Sequence, residues 1–200
     1  MDEPQMTLTV VGPVPTRTSR VLWCCEELGL DYSHQIARPH SDEVNALNPL
    51  KQVPVLLDGE TVITDSTAIL HYLTDREARL TYPPGTPERA KLDARIVFLI
   101  TELEAPLWLQ SRHTYVLPEE MRHPEIFPVL ATDFKLANKK FDQLLGDAEF
   151  FGGEAFTIAD IIATHCLFWA GDFHEISGTA NDYLSRMRDR PGWAASQKNR

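Results

Sequence analysis

Gln52-Val53-Pro54-Val55-Leu56-Leu57-Asp58-Gly59-Glu60-Thr61-Val62-Ile63-Thr64-Asp65-Ser66 is the stretch that decides the fold. Its apolar half reads as a strand, and Asp58-Gly59 is a strong hairpin turn into the β-branched run Thr61-Val62-Ile63. Asp65-Ser66 then opens a helix that carries Ile69, Leu70 and Leu73 on one side. Pro54 is a local contradiction, because proline deletes a ladder donor from a strand. Either Val53-Pro54 merely starts an edge strand, or Pro54 follows a cis peptide bond that turns the preceding backbone outward.

Upstream, residues 6–11 (MTLTVV) form a candidate buried strand, broken by Gly12-Pro13-Val14-Pro15. From Arg17 the period turns helical, with Val21, Leu22, Cys25 and Leu28 on one face and Gly29 placed to end the helix. Residues 32–37 read as a second strand and residues 41–47 as a short helix ended by Asn48-Pro49. Strand, helix, strand, short helix, hairpin and helix make an α/β domain with a mixed four-stranded sheet, expected over residues 1–80.

Residues 81–87, including Pro83-Pro84-Gly85, punctuate the chain as a linker, and the rest, 88–200, shows no strand pattern. A helix is expected over 89–112, with Ile96, Leu99, Ile100, Leu103 and Leu107 as its stripe and a kink at Pro106. Further helices are expected over 119–145 (disturbed near Pro124 and Pro128), over 157–170 after Gly152-Gly153, and over 181–188. The fold class is therefore α/β followed by an all-α helical bundle. Thr157-x-x-Asp160 ahead of an apolar run is a capping box, a folding device and not a catalytic one.

Composition narrows the function. A hydrophobic fraction of 43% with 24% charged residues is that of a globular chain, and a net charge of -10 disfavours nucleic acid as a partner. No apolar run reaches the roughly 18 to 20 residues of a membrane span, and the acidic N-terminus is unlike a secretory signal. Three cysteines, Cys24, Cys25 and Cys166, suit neither a disulfide framework nor a zinc site, so no metal is expected and a reducing cytoplasm fits.

Asp65-Ser66 alone reads as a pair of helix-capping residues. Behind Val53-Pro54 it reads differently. An outward-turned residue 53 offers its N–H and C=O to an extended peptide, and a helix N-terminus with a serine hydroxyl is a natural carboxylate site. Asp65 adds an acceptor for an ammonium group. Together they describe a ligand with the shape of γ-glutamyl-cysteinyl-glycine.

Four motifs resemble the cytosolic glutathione transferase family over nearly the whole chain. They are Arg20-Val21-Leu22-Trp23 with Glu26-Glu27-Leu28-Gly29-Leu30, then Asn48-Pro49 with Gln52-Val53-Pro54-Val55-Leu56. Asp65-Ser66-Thr67-Ala68-Ile69-Leu70-His71-Tyr72-Leu73 and Phe156-Thr157-Ile158-Ala159-Asp160-Ile161 complete the set. The resemblance implies a thioredoxin-like N-terminal domain, a helical C-terminal domain, a homodimer and a cytoplasmic role in detoxification, with glutathione as co-substrate. It implies that the Val53 backbone ahead of Pro54 pairs with the cysteinyl unit, that Asp65 and Ser66 hold the γ-glutamyl end, and that Gln52 and His40 reach the glycyl carboxylate.

A free thiol has a pKa near 8.5, so conjugation needs a donor that stabilises the thiolate. The loop where the family places it, Gly12-Pro13-Val14-Pro15-Thr16-Arg17-Thr18-Ser19, holds no Tyr and no Cys, which disfavours Cys-dependent thiol transfer. Thr16 lies closest by offset from Arg20, and it reads equally as a helix cap; Thr18, Ser19 and the Arg17 side chain are the other candidates. An apolar electrophile is expected against Trp108, His113, Tyr115, Phe168 and Trp169, although aromatics at helical spacing also serve as core. The expected function is glutathione conjugation of a small apolar electrophile, with a side activity on hydroperoxides; the alternative is a non-catalytic, glutathione-binding or regulatory protein of the same fold.

Overall fold

A computed structural model describes residues 8–176 and 178–198. The chain divides into two compact units, one of Met1–Thr81 with Asp189–Arg200 and one of Tyr82–Arg188.

In the first unit, β1 (Leu8–Val11) leads through an irregular turn at Val14–Thr18 into α1 (Ser19–Leu28). Met6 and Thr7 of the expected strand lie outside the described residues. α1 begins two residues later than its period suggested, because Pro15 and Thr16 keep non-helical backbone angles. Gly29 closes the helix at φ 70°. β2 (Tyr32–Gln35) is followed by α2 (Asp42–Leu47), capped by Ser41, whose hydroxyl accepts the Val44 amide at 3.4 Å. β3 (Val55–Asp58) and β4 (Thr61–Thr64) form the expected hairpin, with Asp58 opposite Thr61 across the turn, and α3 (Ser66–Glu77) follows.

The sheet order is β2-β1-β3-β4, with β1 parallel to β2 and antiparallel to β3. Val10, Val11, Val55 and Leu56 are fully buried, as are Ile69, Leu70 and Leu73 of α3. α1 is buried almost all round, since α3 packs on it and so does a short C-terminal helix. Burial pushes the Cys25 thiol up to about 12 and Cys24 well above its ordinary value, so these two thiols are packing groups and not nucleophiles. All three cysteines are buried and unbridged.

The second unit holds no strand among its described residues, only an isolated bridge between Phe150 and Gly153. α4 (Pro87–Phe98) is capped by Thr86 and starts on a proline, whose missing N–H costs nothing there. The expected kink falls just ahead of Pro106. Pro106 has no N–H to give the Glu102 carbonyl, and the chain relaxes into a wide turn at Leu99–Leu103, where the Glu104 amide bonds the Leu99 carbonyl. α5 (Glu104–Ser111) continues to a second wide turn at Arg112–Val116. The helix expected from residue 119 is replaced by two 3-10 turns, Glu119–Met121 and Pro124–Ile126, and α6 begins at Phe127 (Phe127–Leu145) with Pro128 in its first turn.

α7 (Ile158–Ala170) carries the capping box. Asp160, fully buried, accepts from the Phe151 amide (2.6 Å), the Thr157 amide (2.9 Å), the Thr157 hydroxyl (3.2 Å) and the Tyr183 hydroxyl (2.8 Å). Burial raises its pKa against those donors. α8 (Gly178–Arg188) supplies Tyr183, which meets Phe141 edge-on at 5.4 Å.

A last helix escaped the sequence reading. α9 (Pro191–Ser196) belongs to the first unit, where Trp193 meets Trp23 edge-on at 5.2 Å. Arg190 grips Glu27 through Nε (2.9 Å) and Nη2 (2.6 Å), and the same carboxylate accepts from Trp23 Nε1 at 2.9 Å. The signal was Arg190-Pro191, a proline at a helix start.

Candidate functional site

Sheet register assembles the site. Val11 lies opposite both Gln35 and Val55, and Val55 lies opposite Thr64. The ends of β1, β2 and β4 and the start of β3 therefore share one end of the sheet. The segments continuing from it are 12–19, 36–52, Val53-Pro54 and Asp65-Ser66, so the residues singled out as glutathione-binding and thiol-activating all lie on segments that run from that end.

The Val53–Pro54 peptide is cis, as the second of the two readings required, and the ladder begins only at Val55. Gly12 at φ 138° packs so closely that a Cβ on it would stand 2.9 Å from that of Val53. His34 Nε2 donates to the Gly12 carbonyl at 2.7 Å, and the Gly12 amide bonds the Gln35 carbonyl at 2.9 Å.

Asp65 is the N-cap of α3. Its Oδ1 accepts the Thr67 amide at 2.8 Å and the Ala68 amide at 3.2 Å. Its backbone sits at φ 71°, ψ 126°, a conformation that L-residues avoid and that surrounding structure must enforce. Ser66 is buried, and Arg20 Nη1 reaches its hydroxyl at 3.5 Å from the buried face of α1.

Gln52 is exposed, and its carbonyl accepts from Asn48 Nδ2 at 2.9 Å; Asn48 Oδ1 in turn accepts the Leu50 amide at 3.0 Å. Buried Asn48 thus braces the approach to Val53. His40 is exposed, at φ 65°, and its amide bonds the Lys51 carbonyl at 3.0 Å, next to Gln52 in sequence.

Of the hydroxyls in the loop, Thr16 Oγ1 lies 2.7 Å from the Pro13 carbonyl oxygen and 2.9 Å from Thr18 Oγ1. Ser19 Oγ donates to the Thr16 carbonyl at 3.0 Å, and Arg17 is half-buried beside them in sequence. Sequence reasoning missed His34, Arg20 and Asn48 as shaping residues. Each acts across a gap that no local pattern marks, except Asn48, where Asn-Pro was a turn signal.

The aromatic residues singled out for an electrophile all lie in the second unit. Trp169 Nε1 (3.1 Å) and the Tyr115 hydroxyl (2.9 Å) both donate to Ser111 Oγ, so these two converge. His113 turns to the connector instead, where its Nδ1 accepts the His123 amide at 3.1 Å. Phe168 lies beneath the Arg188 guanidinium at 5.0 Å, and Trp108 is half-buried on α5. Among the described residues no cluster of His, Cys, Asp or Glu is suited to a metal ion, and no helix is long and apolar enough to cross a membrane.

A mixed four-stranded sheet in this order, packed with α1 and α3 and followed by a helical unit, is the thioredoxin-like arrangement joined to an all-α domain. Residues 17–76 match the family model described as the glutathione S-transferase N-terminal domain. Glutathione S-transferase 2 of Anopheles gambiae is 31% identical over 155 residues, covering 70% of this chain and 69% of that one. A glutathione S-transferase of Triticum aestivum is 27% identical over 165 residues, covering 80% and 76%. A glutathione transferase of Phanerochaete chrysosporium, solved with oxidized glutathione, superposes with a TM-score of 0.85 at 19% identity, covering 98% and 96%. The chain belongs to the glutathione S-transferase family.

Proposed function

We propose that this chain binds glutathione along the shared end of its sheet and activates the thiol for attack on a small apolar electrophile. The observation that carries the reading is the adjacency of the cis Val53–Pro54 peptide to Asp65-Ser66, set by Val55 opposite Thr64. The Val53 N–H and C=O pair with the cysteinyl backbone as an added strand. Ser66 and the N-terminus of α3 take the γ-glutamyl carboxylate, with Arg20 holding the Ser66 hydroxyl in place. Asp65, with Oδ1 committed to two amides, takes the ammonium group on Oδ2. Gln52 and His40 serve the glycyl carboxylate.

The thiolate rests near the N-terminus of α1, with Thr16 as its hydroxyl donor and Arg17 and Ser19 in support. Tyr115 and Trp169, joined at Ser111, offer an aromatic surface for the electrophile, and Trp108, His113 and Phe168 extend it. Residues 1–80, with α9 packed on them, act as the glutathione domain, 81–87 as the linker and 88–188 as the helical domain of a cytoplasmic homodimer engaged in detoxification.

One observation favours a second reading, a non-catalytic glutathione-binding protein. The Thr16 proton is engaged at the Pro13 carbonyl and the Ser19 proton at the Thr16 carbonyl, so each must be released before it can reach a sulfur. Retention on immobilised glutathione, followed by a chlorodinitrobenzene conjugation assay on wild type, Thr16→Val and Ser66→Ala, separates the two. Retention with turnover that Thr16→Val removes supports conjugation; retention without turnover supports the second reading; no retention defeats both.

A further inference from the structure

Thr18 is fully buried at the head of α1, yet it points a hydroxyl at the hydroxyl singled out for thiol activation. The Thr16 oxygen has one proton to give and two lone pairs to fill. The Pro13 carbonyl, 2.7 Å away, can only accept, so the Thr16 proton goes there. In the 2.9 Å contact between the two threonines, Thr18 is then the donor. The Thr18 amide also donates to Thr16 Oγ1, at 3.2 Å. Thr18 thus places two donors, one from its backbone and one from its side chain, on a single oxygen. A hydroxyl that accepts two hydrogen bonds becomes a stronger donor itself, because each polarises its O–H bond further.

The rest of the loop keeps this geometry in place. Gly12 passes so close to Thr18 that a Cβ would stand 2.2 Å from Thr18 Oγ1, and His34 holds the Gly12 carbonyl at 2.7 Å. The absence of any side chain at residue 12 leaves the Thr18 hydroxyl room to face Thr16.

We propose that Thr18 is a positioning residue for thiol activation, acting through Thr16, so that the activating unit is a pair of hydroxyls and not one. This rests on the reading of Thr16 as the thiol donor. On glutathione binding, the thiol proton leaves to water and the Thr16 proton turns from the Pro13 carbonyl to the sulfur. Both Thr18 donors stay on the Thr16 oxygen and offset the charge it shares with the thiolate.

The test is the pKa of bound glutathione, followed by the ultraviolet absorbance of the thiolate across pH, together with kcat and KM for glutathione. Thr18→Val keeps the shape and removes the hydroxyl. It is expected to raise the bound thiol pKa toward the free value and to lower kcat about three- to tenfold below neutral pH, the worth of one hydrogen bond. KM for glutathione is expected to stay within about twofold, and Thr18→Ser is expected to restore both quantities. Should Thr18→Val fail to fold, Thr18→Ala removes the hydroxyl without crowding Gly12 and is read the same way. A Thr18→Val thiol pKa equal to wild type, beside a raised one in Thr16→Val, overturns this proposal alone. An unchanged pKa in Thr16→Val overturns the Thr16 reading along with it.

Discussion

Gly12 and Thr18 are in such close approach that a Cβ on the glycine would stand 2.2 Å from the threonine hydroxyl oxygen and 2.9 Å from Val53 Cβ. Gly12 also sits at φ 138°, a conformation that L side chains rarely adopt. Strain and overlap act together in Gly12→Ala, and the displaced groups are the Thr18 hydroxyl and the residue before the cis proline. The variant is expected to lose about 2–4 kcal/mol of stability in a urea titration and to lose retention on immobilised glutathione. A loss under about 0.5 kcal/mol would mean that the loop relaxes freely.

Asp160 is the polar keystone of the second unit, with four donors converging on one buried carboxylate. Asp160→Ala strands those donors and is expected to cost about 3–5 kcal/mol, whereas Thr157→Ala loses a single cap worth about 1 kcal/mol. Denaturation midpoints of the two variants check the ranking, and equal losses would contradict it.

The clasp between Arg190 and Glu27 holds α9 on α1 through two charge-assisted bonds, at 2.9 and 2.6 Å. The pair is partly solvated, with side-chain exposures of 30% and 11%, so Arg190→Ala is expected to cost only about 1–2 kcal/mol. Amide exchange at 191–196 is expected to accelerate and Trp fluorescence to shift red as Trp193 leaves Trp23. Unchanged exchange would show that the tryptophan contact alone holds the helix.

Half-buried His174 stacks on Phe134 at 4.7 Å, and burial depresses its pKa below the ordinary 6.5. The unfolded chain therefore takes up this proton before the folded one does. The stability in question is fully present above pH 6.5 and is lost as pH falls through the folded value. Thermal melts of His174→Gln across that range are expected to show a shallower acid-side loss than wild type. A parallel pair of curves would contradict the assignment.

The fold was legible wherever its determinants are local. Asp58-Gly59 marked the hairpin, Gly29 the end of α1, and Thr157 with Asp160 the start of α7. Boundaries drifted where proline geometry ruled: Pro15 delayed α1, Pro106 widened the turn ahead of it, and Pro124 and Pro128 held α6 back to Phe127. The helix α9 was missed because six residues show no helical period, and its place is set by Glu27, which lies 163 positions before Arg190. In the candidate site, the cis proline and the cap at Asp65 had sequence marks. Arg20 beneath Ser66 had none, since a guanidinium within a helical run reads as a solvated face until the register of α1 against α3 is known.

The central claim concerns glutathione at Asp65-Ser66, and calorimetric titration of glutathione into wild type and Ser66→Ala tests it most directly. Ser66 lies at the N-terminus of α3 with its hydroxyl reached by Arg20, so removing that hydroxyl takes one charge-assisted bond from the ligand carboxylate. The expected result is saturable binding to wild type and an affinity about 10- to 100-fold lower in Ser66→Ala, with an unfolding midpoint close to that of wild type. Binding of equal strength in both proteins, or none to wild type, would contradict it.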